Sequence, residues 1–273
     1  MRYPGRTAYA DRTMARYYAE ASARHQFERP AQDLVSLLNI SNAEMILDVG
    51  SGTGMVASAV SRSIGPSALV VAVDSSMEML KQQQAHERVK RIMAVAPNLP
   101  FQDQVFDCVL AGFVITHIRD YAAALGEITR ILKPAGLLGI TAWGSGTPRV
   151  SEVWKNTIQR YVNIETVQEE FSRVIPWDEF FSNRDQLAGA LETAGFVDVK
   201  SATKSYLISL DSHQYVSTKI GSIEGTIVRD SLQEERWKEF LNDLLLILQA
   251  EFPDKIEYTR TVHFVSGRRR ETI

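Results

Sequence analysis

One stretch, Ile46-Leu47-Asp48-Val49-Gly50-Ser51-Gly52-Thr53-Gly54-Met55-Val56-Ala57, limits what the rest of the chain can build. An apolar run meets three glycines within five positions and then a helix-compatible run, so the spacing predicts a strand turning tightly into a helix. Without Cβ atoms such a loop can bring backbone amides and a helix amino end close to a ligand. Asp48 stands just before the loop, and a second acid, Asp74, closes the next apolar run, Val70-Val71-Ala72-Val73. An acid in that position can accept hydrogen bonds from both hydroxyls of a ribose. A dinucleotide fingerprint requires glycine at position 55, where Met55 stands, and no G-x-x-x-x-G-K-[ST] segment occurs. The pattern therefore points to a nucleoside-type ligand without a pyrophosphate.

The loop lies in a zone, Glu44 to Trp143, where short apolar runs alternate with helical stretches. The runs are Met45 to Val49, Leu69 to Val73, Arg91 to Val95, Val105 to Leu110 and Leu137 to Ala142. That alternation predicts a doubly wound α/β unit on a mostly parallel sheet, with strands apolar on both faces because helices cover both. A helical leader, Tyr9 to about Ile40 and interrupted at Pro30, precedes it and reads as a lid. Beyond the Gly144 to Pro148 loop, helix is expected through about Arg173, and again over Asn183 to Ala194 with Gly195 as its stop. Strands are expected over Phe196 to Leu210 and Tyr258 to Val265, and between them an amphipathic helix over Glu234 to Glu251. The resulting division is a lid (1–40), a core (41–143), a cap insertion (144–182), a core helix and strand (183–210), a helical cap (211–257), and a last strand with a basic tail, Arg268 to Arg270 (258–273).

Composition excludes several classes. A net charge of −3, with 45% hydrophobic and 23% charged residues, gives neither a disordered chain nor a global field for nucleic acid or an anionic membrane. One cysteine, Cys108, excludes an intrachain disulfide framework and a multi-cysteine zinc site, and the five histidines show no metal-site spacing. No metal is expected. The first residues, Met1 to Arg6, lack the apolar stretch of a signal segment, and no run approaches the ~20 apolar residues that span a bilayer. A cytoplasmic protein is expected, with the oligomeric state left open.

Four segments in order, Ile46 to Gly54, Val71 to Leu80, Asn98 to Asp107 and Ile131 to Gly136, carry a resemblance to the class I S-adenosylmethionine-dependent methyltransferases. Within them the chain is similar to the ubiquinone/menaquinone-biosynthesis-like small-molecule group. The resemblance implies a seven-stranded Rossmann-like sheet, S-adenosyl-L-methionine as cofactor, and methyl transfer to an oxygen, nitrogen or carbon of a small apolar or aromatic acceptor. Gly50, Ser51, Gly52 and Gly54 would hold the methionine part, with Asp48 orienting the loop or the ammonium; Asp74 would bind the ribose. Ser75 and Met77 would edge the adenine, and the Ala96 amide would meet its ring. Many relatives carry an acid where this chain has Val95, and that carboxylate is missing here. Gly112 and Phe113 would face the reactive end, and His117 is the catalytic candidate: a general base, a contact to the sulfonium end, or a histidine satisfied by backbone. Asp107 matches an acid whose role in the family is structural. No DPPY or NPPY tetrapeptide occurs, which disfavours a nucleic-acid substrate. Non-transfer chemistry on the same cofactor and non-catalytic cofactor binding stay open alongside methyl transfer.

Overall fold

The structure, a computed structural model, describes residues 9–271. Seven strands form one sheet: β1 (Met45–Val49), β2 (Leu69–Asp74), β3 (Val89–Met93), β4 (Phe106–Gly112), β5 (Leu132–Trp143), β6 (Phe196–Leu210) and β7 (Ile256–Arg269). Their order is β3-β2-β1-β4-β5-β7-β6, parallel except that β7 runs antiparallel to both β5 and β6. The chain reverses direction in this order on either side of β1, so the carboxyl ends of β1, β2 and β4 meet at one edge, the place where open α/β sheets bind ligands.

Alternate residues of each strand enter opposite faces. Leu47, Val49, Val71, Val73, Val109 and Ile140 pack with Leu125 and Ile128 of one helix and Leu187 and Leu191 of another. Those helices are Tyr121–Ile131 and Arg184–Thr193. Ile46, Val70, Cys108 and Leu110 face the other way, against Leu34 and Leu38 of the helix Glu28–Leu38 and Val56 and Val60 of the helix Met55–Ser63. Asp107 ties the sheet's lower edge, accepting from the Glu44 and Met45 amides while Lys133 donates to its other oxygen. These bonds hold its carboxyl below the usual range.

Several expectations shift by a few residues and some need correction. The helix is not interrupted at Pro30, which is the third residue of Glu28–Leu38, directly after the π-helical stretch Tyr18–Phe27. The leader's irregularity lies upstream, where Tyr18–Phe27 winds as a π-helix after the helix Arg12–Tyr17. β3 begins two residues before Arg91, and β5 reaches back to Leu132, with residues 133–136 bulging out between the pairs Phe106–Leu132 and Cys108–Leu137. The helix expected through Arg173 breaks in two, Arg149–Gln159 and Ile164–Val174, because Asn163 caps the second by accepting from the Glu165 and Thr166 amides. Arg268 and Arg269 belong to β7 and bond the Ala135 and Leu132 carbonyls, so they are not a solvated tail; antiparallel pairing with Val197 and Phe196 holds them in place.

The two segments expected as separate caps share one apolar core. Trp154 and Ile158 of Arg149–Gln159 pack with Tyr215, with Val228, and with Phe240, Leu244 and Leu248 of the helix Glu234–Glu251. Tyr215 lies on the helix Ser212–Ile220 and Val228 on Ile223–Asp230. The leader is wedged between this cap and the sheet. Arg229 pairs with Asp11 at 3.3 Å, Ser22 donates to the Thr218 carbonyl at 3.2 Å, and Ser76 Oγ donates to the Tyr9 carbonyl. Gly221 is required at this seam, since a Cβ there would meet the Tyr18 amide nitrogen at 2.6 Å.

Candidate active site

The sheet gathers Asp48, Gly50, Ser51, Gly52, Gly54 and Asp74 at the adjoining ends of β1 and β2. Gly50, Gly52 and Gly54 all take positive φ (66°, 50° and 86°). The loop is pinned from beneath: Ser51 N donates to the Val73 carbonyl at 2.8 Å, and Gly52 N donates to Asp74 Oδ2 at 2.8 Å. Asp74 Oδ1 accepts from Ser76 N, also at 2.8 Å. Burial raises the Asp74 carboxyl despite these bonds.

Asp48 Oδ2 accepts from Ala57 N at 2.9 Å, joining the strand to the first turn of the following helix. Its carboxyl is pushed up to about 8 by burial, opposed by the Ala57 bond and reinforced by the charge of Asp74. Its second oxygen, Oδ1, is buried without a partner, as are Thr53 Oγ1 and Gln83 Oε1. Gln83, absent from the sequence expectations, lies under the loop and donates from Nε2 to Ser51 Oγ and the Gly52 carbonyl, both at 2.9 Å. Nothing in the one-dimensional pattern separates this glutamine from its neighbours Gln82 and Gln84, because only the fold puts it beneath the glycines.

The remaining expected residues lie at or just past the ends of β2, β3 and β4. Ser75 is exposed and Met77, at the start of the short helix Met77–Lys81, is 45% exposed beside it. Ala96 is half-buried past the end of β3, next to an exposed Val95. Gly112 ends β4 in close contact, a Cβ there lying 2.8 Å from Val56 Cγ2. Phe113 holds φ at 58°, an uncommon conformation for a bulky residue. Its amide donates to both the Thr141 carbonyl and Thr141 Oγ1 at 3.1 Å. Its ring stacks at 4.5 Å on Trp143 and meets Phe27 of the π-helix edge-on at 5.0 Å. This left-handed backbone turns the ring into the ligand region.

His117 ends the one-turn helix Ile115–His117 directly after this cluster. Its ring lies 5.7 Å from that of Tyr9, edge to face, and burial pushes its pKa down to about 4. Tyr9 and Tyr18 are half-buried near Asp74, and desolvation, with the charge of that acid and for Tyr9 the neighbouring Tyr18, raises their hydroxyls. Above these rings opens a cavity of about 360 Å³, at the small end of small-molecule pockets. Phe113, His117 and Trp143 line its sheet side, and Tyr9, Tyr18 and Phe27 of the leader line another. Trp154, Tyr215, Lys219, Glu224 and Arg260 line the cap side. Of the aromatics following Trp143, Trp154, Phe171, Tyr215 and Tyr258 thus reach the cavity. Trp177, Phe180 and Phe181 pack around Tyr121 instead, and Trp237 stacks on Phe240 inside the cap.

The residues present fit S-adenosylmethionine: three buried oxygens without partners beside a glycine loop, and an acid at the end of β2 bonded to that loop. Among the described residues no group of three or more histidine, cysteine, aspartate or glutamate side chains is placed to hold a metal ion. Similarity to known proteins agrees. The family described as a methyltransferase domain matches residues 47–140. The demethylmenaquinone methyltransferase of Geobacillus sp. (strain WCH70) is 31% identical over 187 residues, covering 64% of this chain and 79% of that protein. Two solved structures share the fold. One is a putative methyltransferase from an antibiotic biosynthesis pathway of Anabaena variabilis (TM-score 0.59, 16% identity, 86% of this chain and 96% of that one). The other is the Haemonchus contortus phosphoethanolamine N-methyltransferase 2 in complex with S-adenosylhomocysteine (TM-score 0.52, 20% identity, 88% of this chain and 52% of that one). With the glycine loop, the acid of β2 and the sheet order in agreement, the chain belongs to the class I S-adenosylmethionine-dependent methyltransferases of the ubiquinone/menaquinone type and transfers a methyl group to a small molecule.

Proposed function

We propose that the loop Gly50 to Gly54 and Asp74 hold the cofactor while the aromatic cavity holds the acceptor, an individual metabolite rather than a nucleic acid. The observation that carries this reading is the grouping of Asp48 Oδ1, Thr53 Oγ1 and Gln83 Oε1, three buried acceptors without partners, around one glycine loop. Such atoms are stable when a ligand or water completes them. In this reading Gly50, Ser51, Gly52 and Gly54 enclose the methionine part, Asp48 faces its ammonium, and Asp74 accepts from the ribose. Ser75, Met77 and the Ala96 amide border the adenine, and Gly112 and Phe113 border the reactive end. Bound S-adenosylmethionine supplies a methyl group already activated by a sulfonium. The protein's own contribution is then alignment and exclusion of water, worth up to roughly 7–11 kcal/mol of barrier. Tyr9, Tyr18 and Phe27 close the lid side of the cavity, and Phe113 with Trp143 forms its floor. A cytoplasmic setting fits the single buried thiol of Cys108.

Burial holds His117 neutral and makes its ring a weak base, so it is suited to accept a hydrogen bond from an acceptor hydroxyl or amine, or to contact the sulfonium end, rather than to carry a full proton. His117→Gln is expected to lower kcat by less than the roughly 10²-fold at the low end of general-base contributions, with S-adenosylhomocysteine affinity unchanged. A parallel effect follows for stability. The unfolded ring takes up a proton below about 6.5, whereas the folded one waits until about 4, so stability falls as pH drops through that window. Urea melts at pH 4.5 and 7.5 should differ less for His117→Gln than for the wild type. Equal slopes would show that the ring is not buried as described.

The cofactor reading itself is tested by calorimetry with S-adenosylhomocysteine and with reduced nicotinamide dinucleotide. Saturable binding of the first alone is expected. Binding of the dinucleotide, or of neither, would overturn it.

A further inference from the structure

The cavity holds a cation without an anion to pair with. Arg260 comes from β7, where it pairs in register with Tyr206, and its guanidinium lies 3.6 Å from the centre of the Trp143 ring. Stacking occupies a face of the guanidinium and leaves its edge of N–H donors free. One of them, on Nη1, donates to Gln26 Oε1 at 3.2 Å, and among the described residues no carboxylate lies within ion-pair distance. Asp178, also on the cavity wall, is not ion-paired with Arg260; burial raises its carboxyl while the charge of Arg260 opposes that rise. On the cap side the charges cancel: Glu224 accepts from Lys219 Nζ at 3.3 Å and from Trp154 Nε1. Lys155 adds a further positive charge at the rim. The half-buried Arg260 therefore turns N–H donors toward the cavity, where a ligand can supply the counter-charge.

Resting on the methyltransferase reading above, we propose that Arg260 seats a carboxylate of the methyl acceptor, whose flat apolar part lies against Phe113 and Trp143. A carboxylate is preferred to a neutral group because the planar fork of N–H donors matches two oxygens in one plane. The acceptor class is thus a small planar or aromatic acid, held at one end by Arg260 and presented at the other to the rim carrying His117. An apolar acceptor without an anionic group, within the apolar or aromatic class that the resemblance implies, would leave this guanidinium uncompensated. Arg260 acts here as a specificity-determining residue, and its effect should appear in acceptor affinity and KM before kcat.

The test is calorimetry on the protein saturated with S-adenosylhomocysteine, using two matched pairs of probes: indole-3-acetate with indole-3-acetamide, and 3-phenylpropionate with its amide. At least one acid is expected to bind more than about tenfold more tightly than its amide. Arg260→Met should erase the ratio, and Arg260→Lys, which keeps the charge without the fork, should reduce it. Amides binding as well as acids, a ratio that survives Arg260→Met, or neither member of either pair binding would each overturn the proposal. S-adenosylhomocysteine affinity, read in the same titrations, separates the two levels. Its loss in the wild type sinks the cofactor reading, and its retention with no acid preference sinks the Arg260 inference alone. Should Arg260→Met fail to fold, the wild-type ratio and Arg260→Lys decide.

Discussion

Asp74→Ala is expected to weaken S-adenosylhomocysteine binding by about 10²- to 10³-fold, roughly 3–4 kcal/mol. Two independent losses add. The carboxylate carries the loop, since Gly52 N and Ser76 N each donate to one of its oxygens at 2.8 Å, and hydrogen bonds to a charged group contribute about 1.5–3 kcal/mol each. Its remaining lone pairs are the acceptors that the ribose reading requires. The melting temperature should change far less, because burial already raises this carboxyl and its removal relieves that desolvation. Asp74→Asn, which keeps one acceptor oxygen, should fall between. Unchanged affinity in Asp74→Ala, measured by calorimetry, would remove the residue from its assigned place.

Gly50→Ala should destabilise the fold by about 2–5 kcal/mol and be the least tolerated change in the loop. Alanine at φ 66° incurs the left-handed penalty of about 1–2 kcal/mol. Its Cβ would also lie 2.1 Å from Val114 Cγ2 and 2.5 Å from Val114 Cβ, overpacking that costs about 1–3 kcal/mol. Rotating Val114 moves its Cγ atoms and leaves its Cβ in place. Val114→Ala should therefore rescue little, and Val114→Gly more. At Gly52 the nearest atom is Met79 Cε at 3.5 Å, an ordinary contact, so Gly52→Ala carries only the backbone penalty. Urea unfolding of the four variants checks this ranking, and equal stability of Gly50→Ala and Gly52→Ala would refute it. Val114 lies between Phe113 and the turn bearing His117, so the same clash should also displace the reaction side of the site.

The glycine loop, the two acids and the strands around them were legible because their information is local. A strand ending in glycines with an acid at the next strand's end reads the same in one dimension as in three. The lid was legible as a helical leader with aromatic residues, but its π-helical winding was not. That winding sets Tyr18, Ser22, Gln26 and Phe27 along the cavity, and it depends on packing against Gly221 and Thr218 some 200 residues away. Pro30 reads as a breaker in isolation and as a first-turn residue once the preceding helix is seen to run into it.

The chain's linear order determined the class of sheet, the glycine loop with its two acids and the family, since each follows from residue type and spacing within a few tens of positions. Tertiary structure alone decided what lies around that loop. Gln83 beneath the loop, Phe113 turned inward at φ 58°, and Arg260 stacked on Trp143 come from segments far apart in sequence. They meet only because β7 returns antiparallel beside β5 and the cap closes over both. Side-chain chemistry is written residue by residue, whereas the charge balance of a cavity depends on which residues the fold brings together and shields from water.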